Sequence, residues 1–105
     1  MVLAGPTELI QIEIERALVD AQAQIRAAQL KRDALAARET RPVRLVIAVR
    51  DSATARRRLA PVAALIATAF PATSRDIWRA LRTGVPLKAD GVLFVRAGRS
   101  GTPRP

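Results

Sequence analysis

The sequence contains no histidine, no cysteine and no tyrosine, and its only aromatic side chains are Phe70, Trp78 and Phe94. Each absence removes a class of chemistry. Without His there is no imidazole base, no Ser-His-Asp triad and no His-ligated metal. Without Cys there is no disulfide framework, thiolate nucleophile or zinc knuckle. Any metal would need oxygen ligands, which selects magnesium, manganese or calcium. Three scattered aromatics also fall short of the stacked platforms that hold single-stranded nucleic acids. The longest uncharged run, Leu59 to Ser74, is too short for a membrane span and is interrupted by Pro61 and Pro71. Met1 to Pro6 lacks the basic and apolar regions of a secretory signal, so the reading is a cytoplasmic protein with no membrane partner.

What remains is short, apolar and basic. The 105 residues suffice for one small domain with one core, and with 50% hydrophobic residues that core must be built from Ala, Val, Leu and Ile. Eighteen Lys and Arg oppose nine Asp and Glu, a net charge of +9. The charge is segregated: Glu8, Glu13 and Glu15 are the only charges among the first 15 residues, and every base lies beyond them. Such a surplus raises affinity for nucleic acid through counterion release.

Residues 9 to 15 alternate Ile10, Ile12 and Ile14 with Gln11, Glu13 and Glu15. This predicts a strand with its isoleucines on one buried face. From Leu18 to Arg38 there is neither Gly nor Pro, and Asp20 stands near the front, so this is the longest predicted helix. Leu18 with Ile25, and Val19 with Leu30, form two apolar ridges. The polar stripe Gln22, Arg26, Gln29 and Asp33 between them predicts a face turned to a cleft or an internal network. A second row, Asp20, Gln24, Lys31 and Arg38, reads as solvent-facing.

Arg41-Pro42 ends that helix, and Val43 to Val49 reads as a strand covered on both faces. Asp51 or Ser52 caps a helix from Ala53 to Phe70 that Pro61 kinks or divides. Thr73 or Ser74 caps a third helix, closed by Gly84, and Asp90-Gly91 turns the chain into a last strand, Val92 to Val95. The expected fold is thus α/β in the order β-α-β-α-α-β, a small three-stranded mixed sheet with flanking helices. A leader over 1–7 is expected to be disordered, 8–97 to form a single α/β domain, and 98–105 to be a frayed basic tail. Three strands leave two open edges. The sheet is therefore expected to be completed by a second copy, in a homodimer, or by an upstream segment.

Glu13 and Glu15, two apart on a strand, share a face and are the candidate metal carboxylates, the alternative being a solvated row. Arg56, Arg57 and Arg58, with Arg50, form the densest basic cluster, either solvated or a phosphate contact. Arg26, Lys31 and Arg32 are the further candidates for nucleic-acid contact. Trp78 beside Ile77 and Leu81 reads as core rather than as an interface anchor. No recognition-helix motif is visible.

The run Ile12-Glu13-Ile14-Glu15-Arg16, the helix through Asp20, Gln22 and Lys31-Arg32-Asp33, and the strand Leu45 to Asp51 leading to Ser52 and Arg56-Arg57 resemble the C-terminal half of a PD-(D/E)XK nuclease-like domain. They are similar, more narrowly, to the regions that follow helix-turn-helix domains in some bacterial regulators. The resemblance covers about residues 8 to 96 and implies an incomplete restriction-endonuclease-like fold. Active members carry Glu-x-Lys on a central strand, with magnesium or manganese held by a further acid on a preceding strand. Glu13 would then be the metal carboxylate, with Glu15 where the lysine belongs. A carboxylate cannot stabilise the charge that an ammonium does. The expected role is accordingly a DNA-associated regulatory or oligomerisation module that binds duplex phosphate nonspecifically through Arg, with no catalytic residue and no cofactor. Two alternatives stand beside it: a divalent-metal DNA nuclease completed by a second chain or an upstream segment, and a protein-binding module using an open sheet edge.

Overall fold

A computed structural model describes residues 1–96. The expected basic tail, 98–105, lies outside the described residues. The strand predicted over 9–15 is β2, Leu9–Glu15, and the strand predicted from Val43 is β3, Val43–Arg50. The last strand, β4, is Gly91–Val95. The sheet has four strands rather than three, because Val2–Ala4, within the expected leader, forms an edge strand, β1, antiparallel to β2. The order is β1-β2-β3-β4, and β2, β3 and β4 run parallel.

β3 is central, and its side chains from Leu45 to Val49 are buried on both faces, as its unbroken apolar run requires. Leu45, Ile47 and Val49 point to one layer with Ile25, Ala28, Leu59 and Phe70. Val46 and Ala48 point to the other with Ile12, Ile77 and Ala80.

Helix α1, Ala21–Ala36, crosses from β2 to β3. It starts three residues later than predicted because Asp20 is the cap, its carboxylate accepting from the Ala23 N–H at 3.1 Å. Ser52 caps α2, Ala53–Leu59, and Pro61 sits in a 3-10 turn, Ala60–Val62, that divides it from α3, Ala63–Ala69. Helix α4, Ser74–Thr83, lies on the opposite face of the sheet, capped reciprocally by Thr73 and Asp76 and ended by Gly84 at φ 78°. Its inward residue Ile77 has no exposed surface, worth about 2–3 kcal/mol of burial. Among the described residues no helix is long and apolar enough to cross a membrane.

The two sheet edges differ. β1 is three residues long and has no further strand outside it. The outer edge of β4, expected to be open, is occupied. Ala72 forms a parallel bridge to Gly91, and the Ser74 hydroxyl accepts from the Phe94 N–H at 3.1 Å and faces the Val92 carbonyl at 3.5 Å. Gly91 permits this approach, since a Cβ there would lie 2.4 Å from the Ala72 carbonyl oxygen.

Candidate nucleic-acid interface

β2 carries its polar row toward α1, and that choice fixes how the helix is turned. Glu13 accepts from Lys31 Nζ at 3.1 Å and from Gln11 Nε2 at 3.3 Å, and Glu15 accepts from Gln24 Nε2 at 2.6 Å. Of the row expected to face solvent, Asp20, Lys31 and Arg38 are exposed, with Lys31 reaching Glu13 from the surface, and only Gln24 is half-buried against the strand. The stripe expected to face a cleft is turned outward: Gln22, Arg26 and Asp33 are exposed and Gln29 is half-buried. The isoleucine alternation is likewise only half right. Ile10 and Ile12 are buried, but Ile14 is 63% exposed, while Gln11 is buried beneath the helix.

Glu13 and Glu15 do share a face, as their spacing requires. Their oxygens are engaged by an ammonium and two amides, and among the described residues no three Asp or Glu side chains gather into a cation-holding group. Both carboxylates are thus already spent on protein donors, with no third acid beside them among the described residues.

The seven predicted cationic contacts separate in the same way. Lys31 is paired with Glu13, Arg32 with Asp33 and Asp90, and Arg56 with Asp51 at 2.9 Å. Burial works against the Arg32 charge, but the two carboxylates outweigh it and raise its pKa above the usual arginine value. The Arg56 guanidinium also lies 4.1 Å from the centre of the Phe94 ring. Arg58 donates to the Leu18 carbonyl at 2.6 Å. Arg26, Arg50 and Arg57 are exposed and form no ion pair among the described residues.

Sequence reasoning passed over Arg16, which joins Arg50 and Arg58 in a cleft of about 510 Å³ outside the carboxyl ends of β2 and β3. That is where open α/β sheets take ligands. It also passed over Arg75, Arg79 and Arg82, spaced four and three apart along the outer face of α4. Helical spacing alone would have found them. Trp78 stands between them and is 42% exposed, not core, because Ile77 takes the inward position.

All nine Asp and Glu carboxylates are engaged. Glu8 holds Arg44, Glu39 holds Arg41, Asp90 holds Arg32 and the Leu45 N–H, and Asp20 and Asp76 cap helices. The other four hold the partners given above. Asp76 is kept below the usual carboxylate range first by the Thr73 N–H and hydroxyl, then by Arg79 and Arg75. No protein-family model, no curated protein and no solved structure matches the chain.

Proposed function

We propose that the chain is a DNA-associated regulatory module of nuclease-like ancestry, holding duplex phosphate nonspecifically through arginine rather than cutting it. One observation carries this reading. Every Asp and Glu carboxylate is already spent on an internal partner, while exposed guanidiniums, Arg16, Arg26, Arg50 and Arg57 among them, form no ion pair among the described residues. A surface whose anions are occupied and whose cations are not takes its counter-charge from outside, and a polyphosphate supplies it with a gain in counterion entropy. The Glu-x-Glu of β2 supports binding over cleavage, since Glu13 holds Lys31 and Glu15 stands where active members of the resembled family carry lysine.

Anisotropy of a labelled duplex, titrated with the protein across a salt series, tests the reading. The expected result is saturable binding, indifferent to sequence, whose log affinity falls linearly with log salt at a slope of about −0.9 per phosphate neutralised. No binding at ~0.1 M salt, or binding without a salt slope, overturns it.

A further inference from the structure

α4 is anchored to the sheet by Ile77 and Ala80, and its opposite face carries Arg75, Trp78, Arg79 and Arg82 in the i, i+3, i+4, i+7 pattern of one helical surface. Seven residues separate the outer two arginines, about 10 Å along the axis. No carboxylate forms an ion pair with any of the three among the described residues, since the helix's one acid, Asp76, is bound to Thr73. The largest aromatic ring of the protein is thus 42% exposed, on the same helical surface as three guanidiniums that form no ion pair among the described residues.

Hydrophobic burial does not account for this placement, because Ile77 already fills the inward position. Nor does the helix suit insertion into a lipid surface, since its apolar face is committed to the sheet. Duplex phosphate would use the arginines and leave the ring idle, because paired bases are stacked on each other. An unpaired strand uses both: a base has a free face for the indole, and its flanking phosphates meet the guanidiniums.

We propose that the outer face of α4 is a stacking site for unpaired DNA, with one base on Trp78 and the flanking phosphates on Arg75, Arg79 and Arg82. One ring is not the multi-aromatic platform of dedicated single-strand binders, so the site holds a short unpaired segment rather than a long strand. The inference rests on the reading that free arginines of this chain hold DNA phosphate. It adds a second surface, on the sheet face opposite α1 and α2, for strand that is locally open.

Trp78 is the only tryptophan and there is no tyrosine, so intrinsic fluorescence reports this site alone. The emission is followed while the protein is titrated with an oligothymidine, with a blunt duplex and with phosphatidylglycerol vesicles. Oligothymidine is expected to quench it strongly and the duplex weakly. Trp78→Ala, checked for folding by its melting curve, should lower oligothymidine affinity about tenfold by anisotropy and duplex affinity less than about twofold. Arg75→Ala with Arg82→Ala should weaken oligothymidine binding while leaving the ring in place. Equal quenching by duplex and oligothymidine overturns the proposal, as does a vesicle-induced blue shift without oligothymidine quenching. Duplex binding by anisotropy with no emission change from any ligand overturns it and spares the broader reading. Absence of all DNA binding overturns both.

Discussion

Arg44 Nε lies 2.9 Å from Glu8 Oε1, so that a residue at the mouth of β2 and one within β3 are joined by charge as well as by the backbone ladder. Glu8 is 5% exposed, and the same carboxylate accepts the N–H groups of Leu87 and Lys88, which leads from α4 to β4. It thereby ties β2, β3 and the connection to β4 at one point, beside Lys88 at φ 72°. Removing it strands a guanidinium and two N–H groups.

The Glu8 clasp should make stability depend on acid. Burial alone would push this carboxyl up, but Arg44 and the two N–H groups outweigh it and hold it below the usual value of 4.5. A carboxylate depressed in the folded state stabilises above its unfolded pKa and loses that contribution as pH falls through the folded one. Melting temperature should therefore drop below about pH 4.5, and Glu8→Ala should flatten that drop while costing roughly 2–3 kcal/mol near neutrality. A variant with the parent's acid profile would refute the clasp.

Gly91→Ala places a methyl against the Ala72 carbonyl, and overpacking of this kind costs about 1–3 kcal/mol. Gly84→Ala meets open space and pays only for its positive φ, about 1 kcal/mol. Thermal melts of the two variants should rank in that order.

Ser74→Ala removes the acceptor of the Phe94 N–H. Hydrogen exchange at Phe94 should accelerate by about tenfold, with little change at β3, because an edge amide opens without the sheet. Unchanged exchange would mean that another group covers the edge.

Glu13→Gln separates binding from cleavage. Plasmid nicking in manganese should stay at background for both parent and variant, since Lys31 neutralises the carboxylate that a metal would need. Nicking that vanishes in the variant would install the metal-nuclease alternative, with the missing acid supplied by a second chain.

Arg50→Ala with Arg57→Ala should weaken duplex binding evenly across sequences and reduce the salt slope by about one to two units. Lys31→Ala, which breaks an exposed pair, should change stability by less than about 1 kcal/mol.

Much of the scaffold was legible because it is encoded locally. β2 spans the residues its alternation marks, Ser52 caps where its position implies, and Pro61 divides the helix as its missing N–H demands. The failures are relations between elements. β1 pairs through backbone over three residues, too few for a side-chain period to appear. The rotation of α1 depends on the polar row that β2 offers it, so Gln24 packs against Glu15 and Lys31 reaches Glu13 from the surface, pairings that their own spacing does not mark. Trp78 was misplaced because Ile77, its neighbour, claims the core. Which cations stay free was not legible at all, since that depends on Asp51, Asp90 and Glu13 reaching partners as far as 58 residues away.

The covered rim of β4 sets a limit on assembly. A sheet grows without end only when it can offer one edge to a neighbour and the other to the next, and here Ala72 and Ser74 have closed one of them. Among the described residues β1 is the rim left open, and a contact that uses β1 on both sides closes at two copies. The fold thus carries its own chain terminator: two copies joined rim to rim would close into one eight-stranded sheet, four strands from each, with Ala72 and Ser74 covering both of its ends.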